Sequence, residues 1–291
     1  MTNFVTGATG LVGSNLCRYL ISKGENVYAL HRKTSRFDLL TDVYKDINWI
    51  EGDLQDPLLL SEVCELVDVV YHAAAKVSYQ KKEIDLMYAC NVEGTRNLVD
   101  AALYGEVKKL LYVSSIAALG KLSKPKTIIN EQNEPESWNS KYGHSKYLGE
   151  LEVWRAQAEG LSTVIINPSV IIGGGYWHTN SGKLFRQIKN GFPYYSNGGT
   201  GFVDVRDVVK IMHQLMHSTI AENRFVVSAE NRAYKDFFYE IAQQLGVKAP
   251  SKNPNKFLQK LALIADWCKS TLTKQPRFLT KELLNLSLIH I

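Results

Sequence analysis

The chain has 291 residues, of which 45% are hydrophobic and 22% charged, and its formal net charge at pH 7 is +5. That length exceeds one ordinary core and suits an α/β domain with an appended lobe. The cations are scattered rather than gathered in a stripe, which excludes a nucleic-acid partner and favours a small anionic ligand, and no apolar run approaches the roughly 18 residues that span a bilayer.

The elements begin with a short apolar run at 3–6 that predicts a first strand, followed by Gly7, Thr9, Gly10, Leu11, Val12 and Gly13 and then a helix over 14–23. Gly7 allows a tight turn, Gly10 lets the backbone approach a pyrophosphate, and Gly13 lets the helix pack closely on the sheet. The helix N-terminus would face the anion with unpaired amides. A second strand at 26–31 runs into His31, Arg32, Lys33, Thr34, Ser35 and Arg36. An acidic residue at this strand end would accept from the ribose hydroxyls of NAD(H), whereas an arginine suits a 2′-phosphate. With no carboxylate at that position, Arg32, assisted by Ser35 or Arg36, favours NADP(H), and NAD(H) is the alternative cofactor. A solvated surface turn is the plainer reading of the same residues. After a third strand at 48–51, Asp53, followed by Leu54, is placed to accept from an adenine amino group or to close an ordinary turn.

Helices at 58–65, 91–104 and 142–159 alternate with strands at 67–72, 109–114 and 163–167, the rhythm of a doubly wound parallel sheet. Past Pro168 a loop-rich stretch with Gly173, Gly174, Gly175, Asn180, Ser181, Gly182 and Gly191 marks the start of a smaller lobe. A late strand at 225–228 and helices at 234–245 and 254–272 complete the elements. The expected fold class is α/β, a Rossmann-type doubly wound sheet with a smaller C-terminal substrate lobe. The dinucleotide-binding domain is expected over 1–170 and the lobe mainly over 171–291, with segments such as 200–220 returning to the first domain. Cys17, Cys64, Cys90 and Cys268 lack CxxC spacing and a neighbouring histidine pair, so no metal site or disulfide framework is expected. They read as buried thiols in a reducing cytoplasm, and no signal-peptide pattern opens the chain.

The chemistry centres on Tyr142-Gly143-His144-Ser145-Lys146. Residues four apart share a helix face, so Lys146 is expected to hold its ammonium near the Tyr142 hydroxyl and lower a pKa that starts near about 10. Such a phenol exchanges a proton while a hydride moves. The same spacing at Tyr19/Lys23 and Tyr104/Lys108 is explained by helix surfaces. What sets the third pair apart is the apolar run 110–113, which ends in Ser114 and Ser115 at the carboxyl edge of the sheet, where such folds bind ligands. Ser115 is placed to hydrogen-bond a substrate oxygen and steady Tyr142, although both serines also serve simply to end the strand. His72, His144 and His178 read as structural.

Taken together these blocks resemble the extended short-chain dehydrogenase/reductases, also called the NAD-dependent epimerase/dehydratase family. The resemblance rests on 6–13, Gly52-Asp53-Leu54, Tyr71-His72-Ala73-Ala74-Ala75, Asn91-Val92-Glu93-Gly94-Thr95, Val113-Ser114-Ser115, 142–146, Asn167-Pro168-Ser169 and 202–208. It implies that Ser115, Tyr142 and Lys146 form a catalytic triad, with Asn91 supporting the lysine through water. It also implies that Ala73, Ala74 and Ala75 line the cofactor and that Pro168 and Ser169 border the nicotinamide. Many relatives carry arginine where Asn167 stands. Within the branch, the basic end of the second strand, the segment 198–207 and the closing segment 275–280 are most similar to the dihydroflavonol-reductase-like and 3β-hydroxysteroid-dehydrogenase-like enzymes. The implied activity is reduction of a ketone or aldehyde on a small, moderately apolar molecule. Tyr79, Tyr176, Trp177, Phe192, Tyr194 and Tyr195 are candidate aromatic linings. A nucleotide-sugar epimerase or dehydratase is the alternative, with Arg186, Lys189, Arg224 and Arg232 available for a diphosphate; a silent NADP-sensing regulator ranks third. The resemblance further implies a homodimer formed by helices 91–104 and 142–159, with Leu148, Leu151 and Trp154 as its apolar positions.

Overall fold

Side chains alternate across every central strand, and that alternation builds two cores. Phe4, Val70, Leu110, Tyr112 and Ile165 point into one layer, while Val5, Val69, Tyr71, Leu111, Val113, Val164 and Ile166 point into the other. A strand buried on both faces needs helices on both sides, which is the condition for a parallel sheet. A computed structural model describes residues 1–121, 130–178, 181–195, 197–254 and 264. In chain order the elements are β1 (Thr2–Thr6), α1 (Leu11–Ser22), β2 (Asn26–His31), β3 (Asn48–Glu51), α2 (Pro57–Cys64), β4 (Val69–His72), α3 (Ile84–Tyr88), α4 (Gly94–Tyr104), β5 (Lys109–Val113), α5 (Lys141–Ala158), β6 (Thr163–Pro168), β7 (Val170–Ile172), α6 (Gly182–Lys189), β8 (Gly199–Asp204), α7 (Val205–Met216), β9 (Asn223–Val227), β10 (Glu230–Ala233) and α8 (Tyr234–Gln244).

Seven strands form one parallel sheet in the order β3-β2-β1-β4-β5-β6-β9. α1 and α7 cover one face through Leu16, Leu20, Val208 and Met212. On the other face α2, α4 and α5 pack through Leu60, Leu98, Val99 and Val153. The fold is thus the doubly wound Rossmann architecture. The late strand expected at 225–228 is β9, and it extends this sheet beside β6. A second sheet, β10-β8-β7, joins α6 and α8 around Phe202, Ile188, Phe237 and Ile241. α6 falls in the glycine-rich stretch read as loop, and β7, β8 and β10 were not expected; these strands are short and two glycines interrupt β8, so no period of two stood out.

Local chemistry sets the helix starts. Asp56 caps α2 by accepting from the Leu59 amide with Pro57 at the first turn, Ser140 caps α5 from the Gly143 amide, and Asp204 caps α7 from the Arg206 amide. α1 differs: Gly10 offers no side chain, and the helix begins at Leu11, three residues before the expected start. The helix expected over 91–104 opens instead with a π-helical turn at Ala89–Glu93. Cys17 and Cys64 are buried as expected, but Cys90, within that turn, is only half-buried. Leu151 is 44% exposed, whereas Trp154 packs on the second core. No helix among the described residues is long and apolar enough to cross a membrane. The helix expected at 254–272, the segment 275–280, Asn180 and Cys268 lie outside the described residues, apart from Pro254 and Ile264.

The order of the strands reverses between β1 and β4, the switch point where open α/β sheets hold ligands. There the loops after the two strands meet backbone to backbone. Gly7 has φ +70, and a Cβ on it would lie 2.6 Å from the Ala74 nitrogen; a Cβ on Gly13 would lie 2.2 Å from the Gly7 carbonyl oxygen. We expect Gly13→Ala to destabilise the protein by about 1–3 kcal/mol through overpacking against backbone that cannot turn aside. Urea unfolding measures this directly, and a change within about 0.5 kcal/mol would contradict the contact.

Candidate active site

Gly7, Thr9, Gly10, Leu11 and Val12 form the rim of a crevice whose opposite wall is Ala73, Ala74 and Ala75. Gly10 and Ala75 are exposed, the rest of this set half-buried. The first turn of α1 has no side-chain cap, so its amides remain available to an anion at the positive end of the helix dipole. A directed chain of hydrogen bonds stiffens the floor. The Ala74 amide donates to Thr6 Oγ1 at 3.3 Å, Thr6 Oγ1 and His72 Nδ1 are 2.7 Å apart, His72 Nε2 and Thr95 Oγ1 are 2.9 Å apart, and Thr95 donates to the Asn91 carbonyl at 2.9 Å. The donor sequence requires a neutral His72 with its proton on Nε2. Burial pushes the His72 pKa down to about 3, with Lys146 adding to the effect, so the ring stays neutral and structural.

The basic loop after β2 is divided in its roles. His31 packs edge-on against Phe37 and Trp49, and the Ser35 hydroxyl accepts from the Arg32 amide at 3.0 Å. Arg36 Nε donates to Asp38 at 2.8 Å and its guanidinium lies 5.1 Å from the Tyr176 ring centre, while the Tyr176 hydroxyl donates to Asp38 at 3.2 Å. Arg32 is exposed and makes no ion pair among the described residues. Asp53 accepts from the Gln55 amide at 3.1 Å, the turn geometry of the plainer reading, and is exposed; Leu54 is buried beneath Gly94. Burial raises the Cys90 thiol pKa, with Arg32 lowering it and Asp53 raising it as smaller effects.

The carboxyl ends of β5 and β6 and the start of α5 bring Ser115, Tyr142 and Lys146 together. The Ser115 hydroxyl accepts from the Ala117 amide at 3.2 Å and stands close enough to the Tyr142 phenol to lower its pKa. Burial pushes the Tyr142 hydroxyl up to about 12, a rise that Ser115 only partly offsets. The direction is opposite to the expected lowering, because burial is the largest effect on this phenol. Lys146 is itself buried, its Nζ lies 4.1 Å from the Tyr112 ring centre, and it has no hydrogen-bond partner among the described residues. Burial lowers its pKa to about 7 against smaller opposing effects of Cys90 and Glu150. Asn91 makes no direct hydrogen bond to Lys146. Its side chain clips the Lys76 backbone, accepting from the amide at 2.8 Å and donating to the carbonyl at 3.0 Å, and it donates to Ser145 Oγ at 2.9 Å.

Glu150 was missed from sequence. It lies four residues after Lys146 on the buried face of α5 and is fully buried. Ser114 donates to its Oε1, Asn167 Nδ2 donates to the same oxygen at 2.6 Å, and Arg224 Nη1 lies 3.2 Å from Oε2. Asn167 Nδ2 also reaches the Ser115 carbonyl at 3.0 Å, which ties this network to the backbone just after β5. Arg224 further donates to the carbonyls of Glu131 and Asn133 at 2.6 and 2.7 Å. It is therefore an internal strut, and Arg232 is paired with Glu240, so neither is left to hold a diphosphate. Lys189 lies 5.3 Å from the Trp177 ring centre. Pro168 and Ser169 are buried at the end of β6, with Ser169 Oγ unpartnered among the described residues. Beside Tyr142, His144 joins Trp138 and Tyr88 in a half-buried wall, with Trp138 and His144 rings 4.5 Å apart and Tyr88 Oη 2.8 Å from His144 Nδ1. Tyr195 packs in the lobe core, and Trp177 is 41% exposed.

A dinucleotide fits these residues: the glycine turn is held tight against the loop after β4, the α1 amides are open, and a buried amine lacks a partner among the described residues. A Rossmann sheet with this crevice at its switch point and a Ser-Tyr-Lys group on its carboxyl edge defines the class of extended short-chain dehydrogenase/reductases. Residues 3–228 match the model of the NAD dependent epimerase/dehydratase family, and the chain belongs to that family. A Synechocystis sp. relative named "Putative dihydroflavonol 4-reductase" is 33% identical over 256 residues, covering 85% of this chain and 73% of its own. "Sterol demethylase protein B" of Methylococcus capsulatus is 30% identical over 274 residues, covering 91% and 81%. The crystal structure of gox2253 superposes with a TM-score of 0.80 at 30% identity, covering 98% of this chain and 87% of that one.

Removing Arg224 strands a buried carboxylate. We expect Arg224→Met to lower stability by about 3–5 kcal/mol, and the double variant with Glu150→Gln to recover most of that loss, because glutamine still accepts from Ser114 and Asn167. Urea denaturation of the four proteins gives the coupling; strictly additive losses would mean that the pair does not interact.

Proposed function

We propose that the protein is an NADP(H)-preferring reductase that acts on a ketone or aldehyde of a small, moderately apolar molecule. The observation that carries this reading is the buried Lys146 amine, which has no hydrogen-bond partner among the described residues and lies one helical turn from Tyr142, beside Ser115 at the carboxyl edge of β5. The nicotinamide supplies the hydride when bound. Ser115 donates to the carbonyl oxygen and holds it against Tyr142. A phenol whose pKa stands near 12 is protonated at neutral pH, so Tyr142 begins the cycle as an acid, the form that reduction requires. Lys146 is assigned to the nicotinamide ribose hydroxyls, whose oxygens would give its buried amine hydrogen-bond partners. There it would also support the negative charge on Tyr142 after proton transfer. Gly7 to Gly13 hold the pyrophosphate, Asp53 and Leu54 the adenine side, and Pro168 and Ser169 the nicotinamide side. Arg32 is the guanidinium at the end of β2 that no carboxylate among the described residues engages, which supports recognition of a 2′-phosphate. The wall of Trp138, His144 and Tyr88 supports a partly apolar substrate.

Tyr142→Phe is expected to reduce turnover by about 10²–10⁴ while cofactor affinity stays nearly unchanged. Appreciable activity of that variant on a confirmed carbonyl substrate would place the acid elsewhere.

Fluorescence titration should show tighter binding of NADPH than of NADH, and Arg32→Ala should weaken NADPH selectively by about 1.5–3 kcal/mol. Equal or tighter NADH binding would overturn the preference. Purified protein should carry little nicotinamide; stoichiometric NAD surviving gel filtration, together with stabilisation by UDP- or dTDP-sugars, would establish the epimerase or dehydratase reading instead.

A further inference from the structure

At the amino edge of the sheet, on the opposite side from the carboxyl-edge chemistry, two histidines converge on one carboxylate. His213 lies in the last turn of α7 and His217 is its C-terminal cap, so a four-residue spacing sets both imidazoles on one face. His213 Nε2 and His217 Nε2 lie 2.9 and 3.0 Å from the same Glu25 oxygen, Oε1, and their ring centres are 4.1 Å apart. Glu25 sits in the turn between α1 and β2. Its second oxygen accepts from Asn3 Nδ2 at 2.9 Å, and Asn3 is fully buried and bound to the Met1 and Asn26 carbonyls. The carboxylate is therefore oriented from behind by a residue that cannot move freely. The three ligand atoms all lie within 4.8 Å of one another.

We propose that Glu25, His213 and His217 bind a divalent transition-metal cation of the zinc class. Two imidazole nitrogens and one carboxylate oxygen form a donor set that suits zinc, whereas calcium and magnesium prefer sites made wholly of oxygen. Around a tetrahedral ion with bonds of about 2.0–2.2 Å, ligand atoms stand about 3.4 Å apart, so the two histidine–carboxylate separations need only a few tenths of an ångström of spreading. As hydrogen-bond donors both imidazoles must carry a proton on Nε2 and share one acceptor; a single cation replaces both protons. Asn3 then acts as the outer hydrogen bond that orients a ligating carboxylate. His217 has a side-chain exposure of 41% against 18% for His213 and 9% for Glu25, which leaves the remaining coordination position to solvent on the His217 side. An ion held there would join α7, the α1–β2 turn and, through Asn3, β1. No metal was expected because the cysteines lack CxxC spacing and a neighbouring histidine pair; Glu25 is 188 residues from His213 in the chain, so no local pattern joins them.

The test uses the tag-free full-length protein, stripped with a chelator and titrated with Zn²⁺ by calorimetry and with Co²⁺ by visible absorption. We expect one saturable equivalent per chain, the intense visible bands of tetrahedral Co²⁺, and a higher Tm with Zn²⁺. Glu25→Gln and His217→Gln should each weaken Zn²⁺ binding by at least about tenfold, or about 1.4 kcal/mol. His217 is the more exposed ligand, so its variant decides the matter if Glu25→Gln is poorly folded. Absence of saturable binding, or binding and Co²⁺ spectra unchanged in His217→Gln, would overturn the site and leave an ion-pair clasp.

Discussion

Backbone pressed against backbone at the sheet's switch point is the constraint from which the rest follows. The turn after β1 must pass so close to the turn after β4 that no side chain fits between them, and α1 must start within reach of the Gly7 carbonyl. The same contact that closes the fold there shapes the crevice. Because the space is cleared by missing Cβ atoms rather than by mobile side chains, the crevice is built into the chain trace. The Thr6–His72–Thr95 chain then fixes the two strand ends relative to the π-helical turn before α4. Neutral histidine suits this role, since it donates on one side and accepts on the other without adding charge to a dry interior.

Desolvation governs the other side of the crevice. Tyr142 and Lys146 both lose water, and each is driven toward its uncharged form, a phenol on one side and an amine on the other. Glu150 is the nearest buried carboxylate to moderate this, but its oxygens are already taken by Ser114, Asn167 and Arg224. The buried charges are thus kept in separate compartments. A carboxylate–guanidinium strut supports the strand ends, while the amine stands apart over the Tyr112 ring.

How much of this was legible in sequence depended on how local each signal was. The glycine turn, the alternating strands and the Tyr142/Lys146 spacing are written within a few residues, and periodicity exposes them. Ser115 was found because its strand ends there. Glu150 belonged to the same helical face as Lys146, yet its meaning depends on Arg224, 74 residues further along, and on Asn167, 17 residues away. Nothing local pairs them. Arg224 and Arg232 read as spare cations for the same reason, since their partners are set by tertiary packing. The direction of the Tyr142 shift was misjudged because helix spacing reports proximity but not burial, and here burial is the larger effect. The small sheet was hidden by short strands containing glycine.

The uncapped start of α1 gives the protein a stability that tracks its metabolic surroundings. Helices α2, α5 and α7 each satisfy part of their first turn with a side chain, whereas α1 leaves that turn to whatever anion arrives. A ligand that binds only the folded chain adds about 2.7 kcal/mol at a hundredfold excess over its Kd. That increment is a sizeable share of the 5–15 kcal/mol typical of folded proteins. Mutational tolerance measured on the bare chain will therefore underestimate tolerance in a cell rich in the dinucleotide. Depletion of that pool would shorten the protein's lifetime as well as halt its chemistry.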